Sequence, residues 1–264
     1  MAYYRIEYFS NALRRGTSFE MLIPNDYRAD LGEKAPEKTV RTLFLLHGYT
    51  GKAGNWVPED LPKKYNFAVV MPTAENSFYL DWQSTGHAYQ TLVGEELVDY
   101  VRRTFGLAMR PEDTCIAGMS MGGFGALHTG LKYPGTFGKI AALSSALIVH
   151  EIAHMKPGGN NGMANYDYYR ECFGDLKTVE KRDVNPEVLI KCLKETNARI
   201  PDIFMACGTE DFLLENNRAM HRFLTEEEIP HRYYESAGGH DMAFWTEYII
   251  KAVHWMFGGE ALYA

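Results

Sequence analysis

Apolar residues follow two alternating rhythms along the chain. Five short runs are apolar almost without a break: 42–46, 67–71, 114–119, 140–143 and 203–207. They lack the in/out alternation of a strand wetted on one face, so they predict a parallel sheet covered on both sides. Residues 233–235 are a weaker candidate for a last strand. Residues 3–9 and 18–23 predict a hairpin turning around Arg15-Gly16. Between the runs the spacing changes to three and four. Tyr89, Leu92, Val93, Leu97, Tyr100, Val101 and Phe105 form one apolar stripe, and the residues from Phe244 to Phe257 form another.

Strand and helix in alternation predict an α/β fold with a mostly parallel central sheet flanked by helices. The segment of about 146–199 interrupts the rhythm, with Pro157-Gly158-Gly159-Asn160-Asn161-Gly162 in its middle. It is expected to be a small cap inserted over the sheet's C-terminal edge of one domain spanning 1–264.

At 264 residues, 46% hydrophobic and 23% charged, the composition is that of a globular protein with a sizeable core. A net charge of -7 without a basic run argues against nucleic acid and anionic membrane as partners. No apolar stretch reaches the ~18 residues of a membrane span. The first residues lack the apolar core of a secretion signal, and a cytoplasmic location is expected. Cys115, Cys172, Cys192 and Cys207 show no paired spacing, and three of them stand in apolar or amphipathic segments that suit buried thiols.

The chemistry is concentrated in Gly118-Met119-Ser120-Met121-Gly122-Gly123. The pattern G-x-S-x-G is common, but here a buried strand leads into it and a helix leaves it. A strand-to-helix elbow strains the serine backbone and exposes its oxygen. The flanking glycines are needed where a Cβ would strike the neighbouring strand or helix. A serine hydroxyl requires a base, and the base an orienting carboxylate, in the order serine, acid, histidine. Cys207-Gly208-Thr209-Glu210-Asp211 and Ser236-Ala237-Gly238-Gly239-His240-Asp241 supply them in that order. Asp211 is assigned as acid and His240 as base; Glu210 satisfies the order equally. Asp241, just ahead of the last apolar stripe, predicts a helix cap. His47-Gly48-Tyr49-Thr50-Gly51 stands where the loop after the early strand should complete an oxyanion hole. The backbone N–H groups of Tyr49 and Met121 are the expected donors, with His47 holding the loop.

These four motifs, in this order and over nearly the whole chain, resemble the esterase D-like branch of the α/β-hydrolases, and within it the bacterial tributyrin esterases. The resemblance implies a serine carboxylesterase cleaving short acyl or acetyl esters without a cofactor. It carries the nucleophile onto Ser120, the acid onto Asp211, the base onto His240 and the oxyanion residue onto Tyr49. It implies a small-molecule ester as partner and allows self-association. Trp56 and Trp82 fall where such enzymes line their cleft. The branch also holds S-formylglutathione hydrolases and mycolyl transferases, so a thioesterase or an acyltransferase would use the same triad.

One motif competes. His150-Glu151-Ile152-Ala153-His154 spells H-E-x-x-H, the zinc-peptidase signature, with Glu171 as a conceivable third ligand. Pro157-Gly158-Gly159 would end any helix within one turn of His154. No metal site is therefore expected.

Overall fold

The structure is a computed structural model describing residues 1–34 and 41–258; the remainder of the expected 1–264 domain lies outside the described residues. Eight strands form one sheet: β1 Ala2–Ser10, β2 Arg15–Ile23, β3 Arg41–Leu46, β4 Phe67–Pro72, β5 Thr114–Met119, β6 Lys139–Leu143, β7 Asp202–Gly208 and β8 His231–Ser236. Their spatial order is β1-β2-β4-β3-β5-β6-β7-β8. The first two ladders, β1 with β2 and β2 with β4, are antiparallel, and every later one is parallel.

The helices are α1 Asp60–Tyr65, α2 Tyr89–Thr91, α3 Leu97–Phe105, α4 Met121–Lys132, α5 Val149–Ile152, α6 Tyr166–Phe173, α7 Pro186–Glu195, α8 Leu214–Glu226 and α9 Met242–Phe257. The unbroken apolar strands are explained by burial on both faces. In β3, Phe44 and Leu46 join one core with Phe124 and Leu127 of α4, while Leu43 and Leu45 join another with Ile249 and Val253 of α9.

Two expectations are corrected. Arg15-Gly16 is not the hairpin turn but the start of β2, paired back to Ser10 and Phe9; the turn is residues 11–14. Its cause is distant in sequence. Glu96 accepts hydrogen bonds from Ser10 Oγ (2.9 Å), Asn11 N (3.0 Å) and Ala12 N (2.9 Å), satisfying the turn's donors with a carboxylate that no local rule anticipates. Glu96 ends a π-helical turn, Leu92–Glu96, that interrupts the stripe expected as one helix. Residues 146–199 contribute to two places. α7 packs on α4 as the crossover helix between β6 and β7, and only the earlier part reaches the cleft.

α4 is buried along nearly its whole length, and its His128 is 1% exposed. The ring stacks on Phe124, Nε2 donates to Asp183 O at 2.8 Å, and Nδ1 has no partner among the described residues. Burial pushes its pKa down to about 4 from an ordinary 6.5. Between those values the unfolded chain binds a proton that the folded one refuses, so stability falls as pH drops from 6.5 towards 4. The integrated loss approaches ~3 kcal/mol at 1.36 kcal/mol per pKa unit. Denaturant unfolding at several pH values in this window should give a shallower slope for His128→Leu than for wild type. Parallel slopes would refute the assignment.

Candidate active site

Ser120 sits between β5 and α4 with φ 55° and ψ -121°. A non-glycine residue held there costs about 1–3 kcal/mol, which the surrounding structure must offset. The elbow is as tight as its glycines implied. A Cβ on Gly118 would lie 2.1 Å from Gly122 O, and one on Gly122 would lie 2.5 Å from Leu46 O. The serine is held on both sides: its N–H donates to Leu143 O (2.9 Å), and its carbonyl accepts from Ala146 N (3.0 Å).

The loop after β7 brings Asp211, and the loop after β8 brings His240. His240 Nε2 lies 2.9 Å from Ser120 Oγ, and His240 Nδ1 lies 2.8 Å from Asp211 Oδ2. With Nδ1–H donating to the carboxylate, Nε2 is left to accept from the serine hydroxyl. Asp211 is 5% exposed, and its Oδ1 accepts from Leu213 N at 2.9 Å. Burial works to raise its pKa, but the bonds from His240 and Leu213 outweigh it and hold the carboxyl below its ordinary value. Phe212 and Trp245 flank the imidazole, with ring centroids 4.5 Å and 4.9 Å away.

Glu210 points elsewhere. Its carboxylate accepts from Thr209 Oγ1 (2.6 Å) and from Gly238 N, which ties the acid loop to the histidine loop. Asp241 caps α9 through Phe244 N at 3.0 Å, as expected.

His47 holds the early loop. Its Nδ1 donates to Gly48 O (2.8 Å), its Nε2 accepts from Ala74 N (3.1 Å), and Tyr79 OH donates to His47 O (2.9 Å). Burial lowers its pKa, which suits a neutral ring that must accept at one nitrogen. Among the described residues, the N–H groups of Tyr49 and Met121 have no hydrogen-bond acceptor. The second of them opens α4, whose N-terminus favours negative charge.

Two recesses meet at Ser120. One, of about 380 Å³, is walled by Tyr49, Phe78, Met121, Ile148, Tyr169 and Leu213, with Glu151 and Asn161 also on its lining. The other, of about 510 Å³, is bordered by Trp56, His240 and Trp245. Met163 and Phe212 border both. Trp56 thus borders the second recess, and Trp82 lines neither. The Trp82 indole stacks on His87, donates to Ser77 O (3.1 Å) and supports Tyr168 behind Tyr49.

The H-E-x-x-H residues do not converge. α5 is only four residues long, and both His150 nitrogens are engaged, Nδ1 with Glu180 (2.7 Å) and Nε2 with Glu187 (2.9 Å). Glu171 accepts from Ser84 N (2.8 Å) in another part of the surface. Among the described residues no cluster of three or more His, Cys, Asp or Glu could hold a metal ion.

Sequence reasoning missed Asn217 on α8. It is fully buried, takes Ser145 N at 3.1 Å and donates to Ser145 O and Leu213 O, binding the loop beneath Ser120 to the acid loop. Its only signal is an amide within a helical stripe. Glu151 was read only as part of the metal motif.

Residues 10–256 match the family described as "Putative esterase". The chain belongs to this esterase family. It is 41% identical over 261 residues to an acetyl esterase of Caldicellulosiruptor saccharolyticus, covering 97% of this chain and 98% of that one. Among solved structures it is similar to the fluorophosphonate-binding serine hydrolase F of Staphylococcus aureus, with TM-score 0.82, 25% identity, and 97% and 98% of the two chains covered. It is also similar to an S-formylglutathione hydrolase of the same organism, with TM-score 0.81, 26% identity and the same coverage. The protein is a serine ester hydrolase on the α/β-hydrolase fold. No helix among its described residues is long and apolar enough to cross a membrane.

Proposed function

We propose that this esterase cleaves short-chain acyl esters, acetyl esters foremost, through a covalent acyl-enzyme on Ser120. The observation that carries the reading is the chain from Ser120 Oγ through His240 to Asp211, at 2.9 and 2.8 Å. His240 Nε2 takes the hydroxyl proton as Ser120 Oγ bonds to the ester carbonyl carbon. The tetrahedral oxyanion is met by the Tyr49 and Met121 N–H groups, each such donor contributing roughly 3 kcal/mol. When the C–O bond to the alcohol breaks, His240 returns the proton to the departing oxygen. Water then repeats the sequence on the acyl-enzyme, and the carboxylic acid leaves. The segment carrying Glu151, Asn161 and Met163 acts as a cap that shields this chemistry from bulk water.

Acetyl specificity is supported by the 41% identical acetyl esterase. The free thiols Cys115, Cys172 and Cys207, all buried, suit a reducing compartment such as the cytoplasm.

Hydrolysis of p-nitrophenyl esters from C2 to C12, with and without EDTA, tests the reading. Turnover should peak at C2–C4 and fall by about tenfold at C8, given the 1–3 kcal/mol that mismatched methylenes can carry. EDTA should change nothing. A maximum at C10–C12 would sink the short-chain reading, and loss of activity with EDTA would sink the serine mechanism.

A further inference from the structure

Glu151 is the one part of the H-E-x-x-H motif that faces the cleft, and its surroundings are built. Asn161 Nδ2 donates to Glu151 Oε1 at 3.1 Å. The amide of Asn161 cannot turn over, because its Oδ1 already accepts from Met163 N (3.1 Å), Ala164 N (3.1 Å) and Tyr169 OH (3.2 Å). Glu151 Oε2 has no partner among the described residues. A carboxylate is thus held by a fixed amide at the edge of a recess whose other walls are largely apolar, with one acceptor oxygen unused.

Which half of the ester meets it follows from the proton's path, given the serine-esterase reading above. The departing alcohol oxygen must come within hydrogen-bond reach of His240 Nε2. His240 borders the recess with Trp56 and Trp245, and not the recess with Glu151. The alcohol half therefore occupies the former and the acyl half the latter. At about 380 Å³ that acyl recess leaves room beyond an acetyl group for a short acyl chain with a polar end at Glu151.

We propose that Glu151 is a specificity-determining residue that accepts a hydrogen bond from a hydroxyl on the acyl group, so that hydroxyacyl esters are preferred to alkyl acyl esters of the same size. A hydroxyl needs a single acceptor and carries no charge into the apolar walls of Phe78, Ile148 and Leu213. An ammonium would have to carry a full charge past those apolar walls to reach the same oxygen. An alkyl chain of equal length would press a methyl against the carboxylate and its water.

The test compares kcat/KM for p-nitrophenyl esters in isosteric pairs that exchange OH for CH3: 3-hydroxybutyryl with 3-methylbutyryl, and 6-hydroxyhexanoyl with heptanoyl. Wild type, Glu151→Gln and Glu151→Ala are measured in parallel. The hydroxyl should be favoured about fivefold in whichever pair reaches the carboxylate, the typical net effect of one hydrogen bond, since Glu151 and Asn161 are both exposed and water competes for the charge. In Glu151→Gln the fixed Asn161 Nδ2 claims the single amide oxygen and turns the NH2 towards the substrate, so the preference should weaken, whereas alanine should abolish it. The KM, not kcat, should carry the difference. A ratio within twofold of unity for both pairs, or one unchanged in Glu151→Ala, would overturn the proposal. So would a preference for 6-aminohexanoyl that both variants lose equally, since that would assign the carboxylate to a cation. Failure of wild type to hydrolyse every ester, p-nitrophenyl acetate included, would count against the serine-esterase reading and not against Glu151 alone.

Discussion

Ser120→Ala is expected to lower kcat for p-nitrophenyl acetate by about 10⁶-fold, the scale seen when the nucleophile of a triad is removed. Among the described residues, Ser120 Oγ is the hydroxyl beside His240 Nε2, at 2.9 Å. The fold should be indifferent to the change. The hydroxyl makes its side-chain bond to His240, while the backbone bonds to Leu143 O and from Ala146 N are kept. Alanine tolerates φ 55° no worse than serine does. Thermal unfolding should therefore occur within a few degrees of wild type. A variant that keeps full activity would end the mechanism proposed here. A variant that unfolds would show only that the elbow cannot lose the hydroxyl, and Ser120→Cys would then be used, with thiol alkylation in place of turnover as the readout.

The second large effect separates two adjacent carboxylates. Asp211→Asn should lower kcat by about 10⁴-fold. An amide at this position presents N–H to His240 Nδ1, so the imidazole carries its proton on Nε2 and cannot accept from Ser120. The charge that balances the imidazolium in the transition state is lost as well. Glu210→Gln should leave kcat within about threefold, as for surface substitutions generally. Its carboxylate is turned to Thr209 and Gly238 N; the glutamine oxygen can keep the bond from Gly238 N while its NH2 donates to Thr209 Oγ1, whose hydroxyl can accept. The comparison reads the acid assignment directly, because the two substitutions are the same chemical change one residue apart. Comparable losses in both would mean that the loop's integrity, and not the Asp211–His240 bond, limits the rate.

The elements around the site were legible in sequence because their causes are local. Residues 114–119 are apolar throughout because both faces of β5 are covered, and Gly118 and Gly122 must be glycine because backbone atoms stand within 2.5 Å of any Cβ there. Asp241 caps α9 because the apolar stripe begins immediately after it. His47 could be assigned to holding the loop after β3 because the strand end ahead of it was plain.

What the sequence left open turned on contacts between distant segments. Glu210 and Asp211 satisfy the same order rule, and only the path of the β8–α9 loop decides which one meets His240. Arg15-Gly16 reads as a turn until Glu96, 80 and more residues away, satisfies the donors of residues 10–12 and sets the turn earlier. H-E-x-x-H is a metal motif only if one helix keeps both imidazoles on one face, and α5 ends after four residues. His150 then turns to Glu180 and Glu187, and Glu151 turns to the cleft. Trp56 and Trp82 look alike as loop tryptophans, and packing against His87 and Tyr168 draws the second away. Sequence by itself thus determined the sheet, the elbow and the order of the triad, since periodicity and glycine sterics act within a few residues. Tertiary structure alone decided which carboxylate meets His240 and which tryptophan and which part of 146–199 line the cleft, since side-chain direction in loops is set by what the rest of the chain brings alongside.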